Sequence, residues 1–195
     1  MGAVDLTPAA RRTADLIGGI SDELLDAPTP CPDYKLGDLL DHIGGLALAF
    51  RAAAKKESLG GGASGPSGDA SRLGDDWRTR IPRDLVALAA AWRAPDAWTG
   101  MTEAGGVELP GEIAGLVALN EVLTHGWDVA RASGQPYEPD VASLEAVYGF
   151  LAPFAGSGEA DAAGLFGPAV VVPDDAPLLN RVIGLTGRDP NWSAG

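Results

Sequence analysis

The stretch from Gly111 to Arg131 constrains this chain more than any other. It reads Gly-Glu-Ile-Ala-Gly-Leu-Val-Ala-Leu-Asn-Glu-Val-Leu-Thr-His-Gly-Trp-Asp-Val-Ala-Arg and contains no proline. At about 100° per residue, Asn120, Glu121, Thr124, His125 and Asp128 share one arc. Leu116, Leu119, Val122, Leu123 and Ala130 fill much of the remaining girth. A surface helix carries an apolar stripe on a polar cylinder, and here that pattern is inverted. The stretch is therefore predicted to be a central helix that needs neighbours on most sides. Its polar arc faces either water or a buried site. No Lys or Arg lies between Glu112 and Arg131. If the arc is buried, its carboxylates lack a basic partner on their own helix, and uncompensated burial costs on the order of several kcal/mol. A metal ion supplies the missing charge.

Other helices are readable around this one. Thr7-Pro8 opens a first helix, with Thr7 as its cap and Pro8 in the first turn, and the apolar positions run through Leu25. The three prolines between Asp26 and Asp33 end it. A second helix is expected from about Leu36 to Lys56, with Leu36, Leu39, Leu40, Ile43, Leu46, Ala47 and Phe50 as its buried stripe. A third spans roughly Pro82 to Arg93. The central helix runs from Pro110 to Ala132 or Ser133, with Gly134 as its C-terminal cap. A fifth covers Val141 to Phe154, and a small one, Leu178 to Leu185, packs back on the rest. Between Ala97 and Leu109 a short β-hairpin is expected around Gly105-Gly106. Residues 57–76 read as a flexible Gly/Ser-rich surface loop, and the tail from Gly164 as extended and Pro-rich. Neither flank of the loop closes a core alone, so residues 1–195 are expected to form a single domain of the all-α class.

Charge and composition exclude several function classes. With 14 Lys plus Arg against 27 Asp plus Glu, the formal charge is −13. Such a surface repels phosphates and anionic lipid, so neither a nucleic-acid partner nor a membrane partner is expected. No apolar run approaches the roughly 18–20 residues that span a bilayer, and no secretory signal opens the chain. A cytoplasmic location is the resulting expectation. One cysteine excludes an internal disulfide and a cysteine-cluster zinc site.

The chain has only two histidines, His42 and His125. Glu121 and His125 are four apart on the central helix, so both project from one face. His42 borders the apolar stripe of the second helix, beside Asp38 and Asp41. Helical bundles build metal sites from inward side chains on facing helices. His42, Glu121 and His125 would give three ligands and leave a position for water or substrate, which is the plan of a catalytic site. Asp128 is the candidate orienter of a ligand histidine, or else the salt-bridge partner of Arg131. Cys31, between two prolines, is either a fourth ligand or nucleophile, or a packed thiol at a helix entrance.

These residues also carry a family resemblance. Thr29-Pro-Cys-Pro-Asp-Tyr34 with Asp38-Leu-Leu-Asp-His42, and Glu121-Val-Leu-Thr-His-Gly-Trp-Asp-Val-Ala-Arg-Ala-Ser-Gly-Gln-Pro136, resemble segments of the mycothiol-dependent maleylpyruvate isomerase-like, DinB-type metalloproteins. Phe166-Gly-Pro168, Val172-Pro-Asp-Asp-Ala-Pro-Leu178 and Thr186-Gly-Arg-Asp-Pro190 are similar to the tail of the single-domain subgroup. The resemblance implies a DinB-like four-helix bundle with a short extended C-terminal tail and a small terminal helix. It implies a divalent metal, usually zinc, held by His42, Glu121 and His125, with Glu121 replacing a histidine used by related proteins. It also implies a low-molecular-weight thiol such as mycothiol as cosubstrate. Lys35 stands where the second helix usually has a Thr or Ser cap. The isomerases carry a second, C-terminal domain, and this chain ends at Gly195.

The expectation is therefore a metal-dependent enzyme that activates a thiol, or a hydroxide, for attack on an electrophilic small molecule. S-transfer or conjugation ranks first, with Asp128 as the catalytic orienter. Isomerisation of the maleylpyruvate type ranks second, and a non-catalytic metal- or small-molecule-binding bundle is the rival class. Nickel or iron also suits a set of two histidines and one carboxylate. The oligomeric state is read as monomer or homodimer. Histidine ligation predicts metal release somewhat below about pH 6.

Overall fold

Asp5 rather than Thr7 caps the first helix in this computed structural model, which describes residues 3–58, 67–154 and 168–194. The Asp5 carboxylate accepts the Thr7 amide at 2.9 Å, and Pro8 sits in the first turn of α1 (Thr7–Gly18). α1 ends at a Gly18-Gly19 pair, well before Leu25, because two successive glycines weaken a helix. Leu24 lies instead in a single 3-10 turn, Asp22–Leu24.

α2 spans Leu36–Ala54, close to expectation. Its first turn uses no hydroxyl cap: the Lys35 amide donates to Asp38 at 3.2 Å. α3 (Trp77–Ala91) starts five residues earlier than its proline suggested, and Pro82 lies inside it. Asp76 makes that earlier start possible, accepting from the Thr79 hydroxyl at 3.0 Å and from Arg80 Nε at 3.2 Å.

β1 (Met101–Ala104) and β2 (Val107–Pro110) form an antiparallel pair, with Thr102 opposite Leu109. Gly105 and Gly106 make the two-residue turn, both with positive φ, as a tight hairpin requires. The Thr102 hydroxyl donates to the Ala53 carbonyl at 2.6 Å and ties the hairpin to the end of α2. This pair was legible locally, yet it corrects the all-α assignment: the chain is mostly helical with one small two-stranded sheet.

α4 (Gly111–Ser133) ends at Gly134 as expected. α5 (Val141–Leu151) is capped by Asp140, which accepts the Ser143 amide at 2.9 Å, and α6 covers Leu178–Leu185. α1 and α2 each pack against both α3 and α4. Ile17, Leu39, Leu40, Leu85, Leu88, Leu119 and Leu123 form the dry centre of that cluster. α6 packs on α5, and the Val170 amide donates to the Gly184 carbonyl at 2.9 Å. No helix among the described residues is long and apolar enough to cross a membrane.

Of the expected flexible loop, residues 59–66 lie outside the described residues, as do residues 164–167 of the expected extended tail. Residues 67–76 are fastened to α2. Asp38 accepts the Ala70 amide at 2.8 Å, and Asp41 accepts the Asp69 amide at 3.1 Å and Arg72 Nη2 at 2.8 Å.

One contact fixes how closely α4 approaches its neighbours. A Cβ on Gly115 would lie 2.5 Å from Trp98 Cζ3 and 3.0 Å from Trp92 Cζ3. Those rings cannot retreat, because the Trp98 indole donates to the Trp92 carbonyl at 2.7 Å and the Trp92 indole to the Phe50 carbonyl at 3.1 Å. Gly115→Ala is expected to destabilise by about 1–3 kcal/mol. Gly18→Ala, where an added Cβ meets nothing within 4 Å, is expected to be neutral or slightly stabilising. Denaturant unfolding of the two variants checks both.

Candidate metal centre

The polar arc of α4 faces inward. Asn120, Thr124, His125 and Asp128 are all buried, Asp128 completely, and Glu121 keeps only partial exposure. The water-facing explanation of the arc is thereby removed. Burial alone does not make a site, so the partners of each group decide what the arc can do.

α2 brings the second histidine. His42 lies at the edge of the apolar stripe, half-buried, where Leu39, Ile43 and Leu46 seat α2 in the core. Its ring stands edge-on to that of His125, with centroids 4.9 Å apart and planes at 89°. One ligand atom from each of His42, Glu121 and His125 lies within 4.8 Å of the others. Two separate stretches of chain thus deliver the three groups that the sequence singled out to one point.

His125 is held from both sides. Its Nε2 is 3.1 Å from Glu121 Oε2, and its Nδ1 is 2.9 Å from Asp128 Oδ2. Burial opposes charge on the ring, but the hydrogen bonds to Asp128 and Glu121 outweigh it and push the pKa up to about 9. Glu121 and Asp128 show the converse. Burial most strongly favours their neutral forms, but the His125 contact and the neighbouring positive charges together hold both carboxyls below their ordinary values. The charge of His42 adds to this at Glu121, and that of Arg188 at Asp128.

The partner of Asp128 differs from the one considered in the sequence. Arg131 turns away and donates through Nε to the Trp192 carbonyl at 2.9 Å. Arg188 takes its place: Nε reaches Asp128 Oδ1 at 3.0 Å, and Nη2 reaches Oδ2 at 2.9 Å. The sequence marked Arg188 only as part of a tail motif. Nothing local signals a pairing across 60 residues. Tyr34 was likewise quoted without a role, and its ring centroid lies 5.0 Å from that of His42. The Thr29 hydroxyl folds the Tyr34 loop, bridging the carbonyls of Cys31 at 2.9 Å and Tyr34 at 2.8 Å.

Cys31 is buried in that loop and does not join the three-residue cluster. Burial pushes its thiol up by more than Arg188 pulls it down, so it stays neutral. These facts fit the packed-thiol alternative.

The donor set suits a divalent cation. Two imidazoles and one carboxylate converge from α2 and α4, and the outward nitrogen of His125 is already engaged by a carboxylate. That second contact is what ligand histidines usually have. Glu121, with no Lys or Arg to pair with along its helix, pairs instead with His125 one turn on, and an ion can occupy the place of the shared proton.

Residues 6–130 match the family described as the mycothiol maleylpyruvate isomerase N-terminal domain. Uncharacterized proteins from two strains of Mycobacterium tuberculosis are 27% identical over 181 residues, covering 90% of this chain and 91% of theirs. No solved structure matches the chain significantly. The matched span takes in α1 to α4 and with them His42, Glu121, His125 and Asp128; the chain belongs to the mycothiol maleylpyruvate isomerase N-terminal domain family.

Proposed function

We propose that this chain binds one divalent ion, zinc by preference, through His42, Glu121 and His125. It would use mycothiol or a similar small thiol as cosubstrate, whose sulfur, on giving up its proton, bonds to the electrophilic carbon of a small molecule as that carbon's leaving group departs or its double bond takes up the electron pair, giving an S-conjugate. The observation that carries this reading is the convergence of three ligand atoms within 4.8 Å from two helices. Family membership supports the thiol part. A DinB-like bundle in which residues 1–195 act as one unit goes with this proposal.

Each residue then has a definite task. His42 and His125 supply neutral nitrogen donors, and Glu121 supplies the anionic one. Asp128 accepts from Nδ1 of His125 and so directs Nε2 toward the ion. Zinc bound there supplies the Lewis acidity that makes a thiol of pKa about 8.5 a thiolate near neutral pH. The electrophile attacked is a partner whose recognition falls to the walls around His42.

A second reading rests on one distance. His125 and Glu121 already satisfy each other at 3.1 Å, as they would in a metal-free binding bundle. Metal analysis separates the two readings. Purified protein is expected to retain about one equivalent of metal, and His42→Ala or His125→Ala to lose it. Unchanged metal content and stability in either variant defeats the assignment.

Acidity gives a signed test. In the metal-free protein, the raised His125 pKa stabilises the fold fully below the ordinary value of 6.5, and this contribution is lost as pH rises through about 9. Ion binding displaces that proton. Apparent zinc affinity should therefore climb with pH, by about tenfold per unit, until about pH 9. Competition with protons thus begins well above the pH 6 expected for free imidazoles. Isothermal titration across this range decides the matter, and a flat profile argues against histidine ligation. For the thiol, the cobalt-substituted protein should develop a sulfur-to-metal charge-transfer band when mycothiol is added. No band at saturating thiol would remove the thiol from the first coordination sphere.

A further inference from the structure

We propose that Arg188 is a positioning residue of this centre: from the segment following α6 it clamps the Asp128 carboxylate and, through it, orients the His125 imidazole. The C-terminal segment and the ligand set on α4 are then one mechanical unit.

Asp128 is completely buried, and both of its oxygens are engaged. Oδ1 accepts Arg188 Nε at 3.0 Å, and Oδ2 accepts Arg188 Nη2 at 2.9 Å while facing His125 Nδ1 at 2.9 Å. Two parallel bonds from a planar fork set the rotation of a carboxylate in a way that a single contact cannot. The fork is itself fixed, because Nη1 donates to the Thr186 carbonyl at 3.0 Å. The turn that carries it is buried at Thr186, whose hydroxyl donates to the Ile183 carbonyl at 2.8 Å. Rigidity therefore passes from α6 through Thr186 and Arg188 to Asp128 and the ring of His125. Arg131 cannot take over the clamp, since it holds the Trp192 carbonyl. Together the two arginines stitch residues 186–192 along the C-terminal half of α4.

This inference deepens the metal-centre reading and rests on it for one of its two tests. The other test is read on metal-free protein. With histidine labelled in 15N, the Nδ1–H of His125 should give a downfield proton resonance that exchanges slowly with solvent. In Arg188→Met that exchange should accelerate by about tenfold or more as the local opening free energy falls. Arg188→Lys keeps the charge but not the fork, and an intermediate effect is expected. In the metal test, zinc affinity should weaken about 10–100-fold in Arg188→Met. Adding Arg188→Met to Asp128→Asn should bring no further loss, because Arg188 acts through Asp128. An unchanged His125 resonance in folded Arg188→Met overturns the proposal, as do equal losses of affinity in both backgrounds. If Arg188→Met does not fold, Arg188→Lys decides alone, and wild-type behaviour in both tests overturns the proposal. A wild-type protein that takes up no zinc refutes the metal reading, and the resonance test still rules on Arg188.

Discussion

The centre of this protein depends on keeping buried charge paired. Glu121, His125, Asp128 and Arg188 form a chain of alternating sign at the inner face of α4, with successive contacts of 3.1, 2.9 and 2.9 Å. Remove any interior member and its neighbour is left as an ion in an apolar medium, which costs several-fold more than the pair contributes when intact. The rest of the fold supplies what the chain of charges needs. α1, α2 and α5 pack around α4, and the C-terminal segment brings Arg188 to the buried Asp128.

The family relationship and the geometry inform each other at this point. The matched span ends at residue 130, after Asp128 but before Arg188. The three candidate ligands and Asp128 thus fall within the family domain, while Arg188, the partner of Asp128, comes from the following segment. The centre is assembled from both, with His42 added from α2 across the core.

How much of this was legible in the sequence follows from the range of the interactions involved. The inverted polarity of α4 marked it as a central helix, because a 3.6-residue period survives in one dimension. The i, i+4 spacing of Glu121 and His125 and the border position of His42 carried the three-residue cluster for the same reason. Gly105-Gly106 announced the hairpin through turn geometry, although the all-α class assigned to the chain left it out. Two features turned on local contacts that the proline and threonine signals outranked, and a third on a contact 60 residues away. Pro82 suggested a helix start, but the helix begins at Trp77, with Asp76 at its cap position paired to Arg80 one turn on. Thr7 resembled a cap, but Asp5 held the amide. Arg131 was the near cation for Asp128, but helix direction turned it to Trp192, and the clamp came from a distant residue.

The burial of α4 on nearly every side also bears on how such a scaffold diversifies. A helix that touches protein around its circumference has no free surface to vary, so new substrates cannot be accommodated by altering it without losing the centre. Room to vary is left at the half-buried flank of α2 and at the loop carrying Tyr34, whose turn is held by the Thr29 hydroxyl on the Cys31 and Tyr34 carbonyls. Two of the three candidate ligands thus lie on the helix least free to change, and the third, His42, lies on α2, so any change on that flank has to spare one histidine.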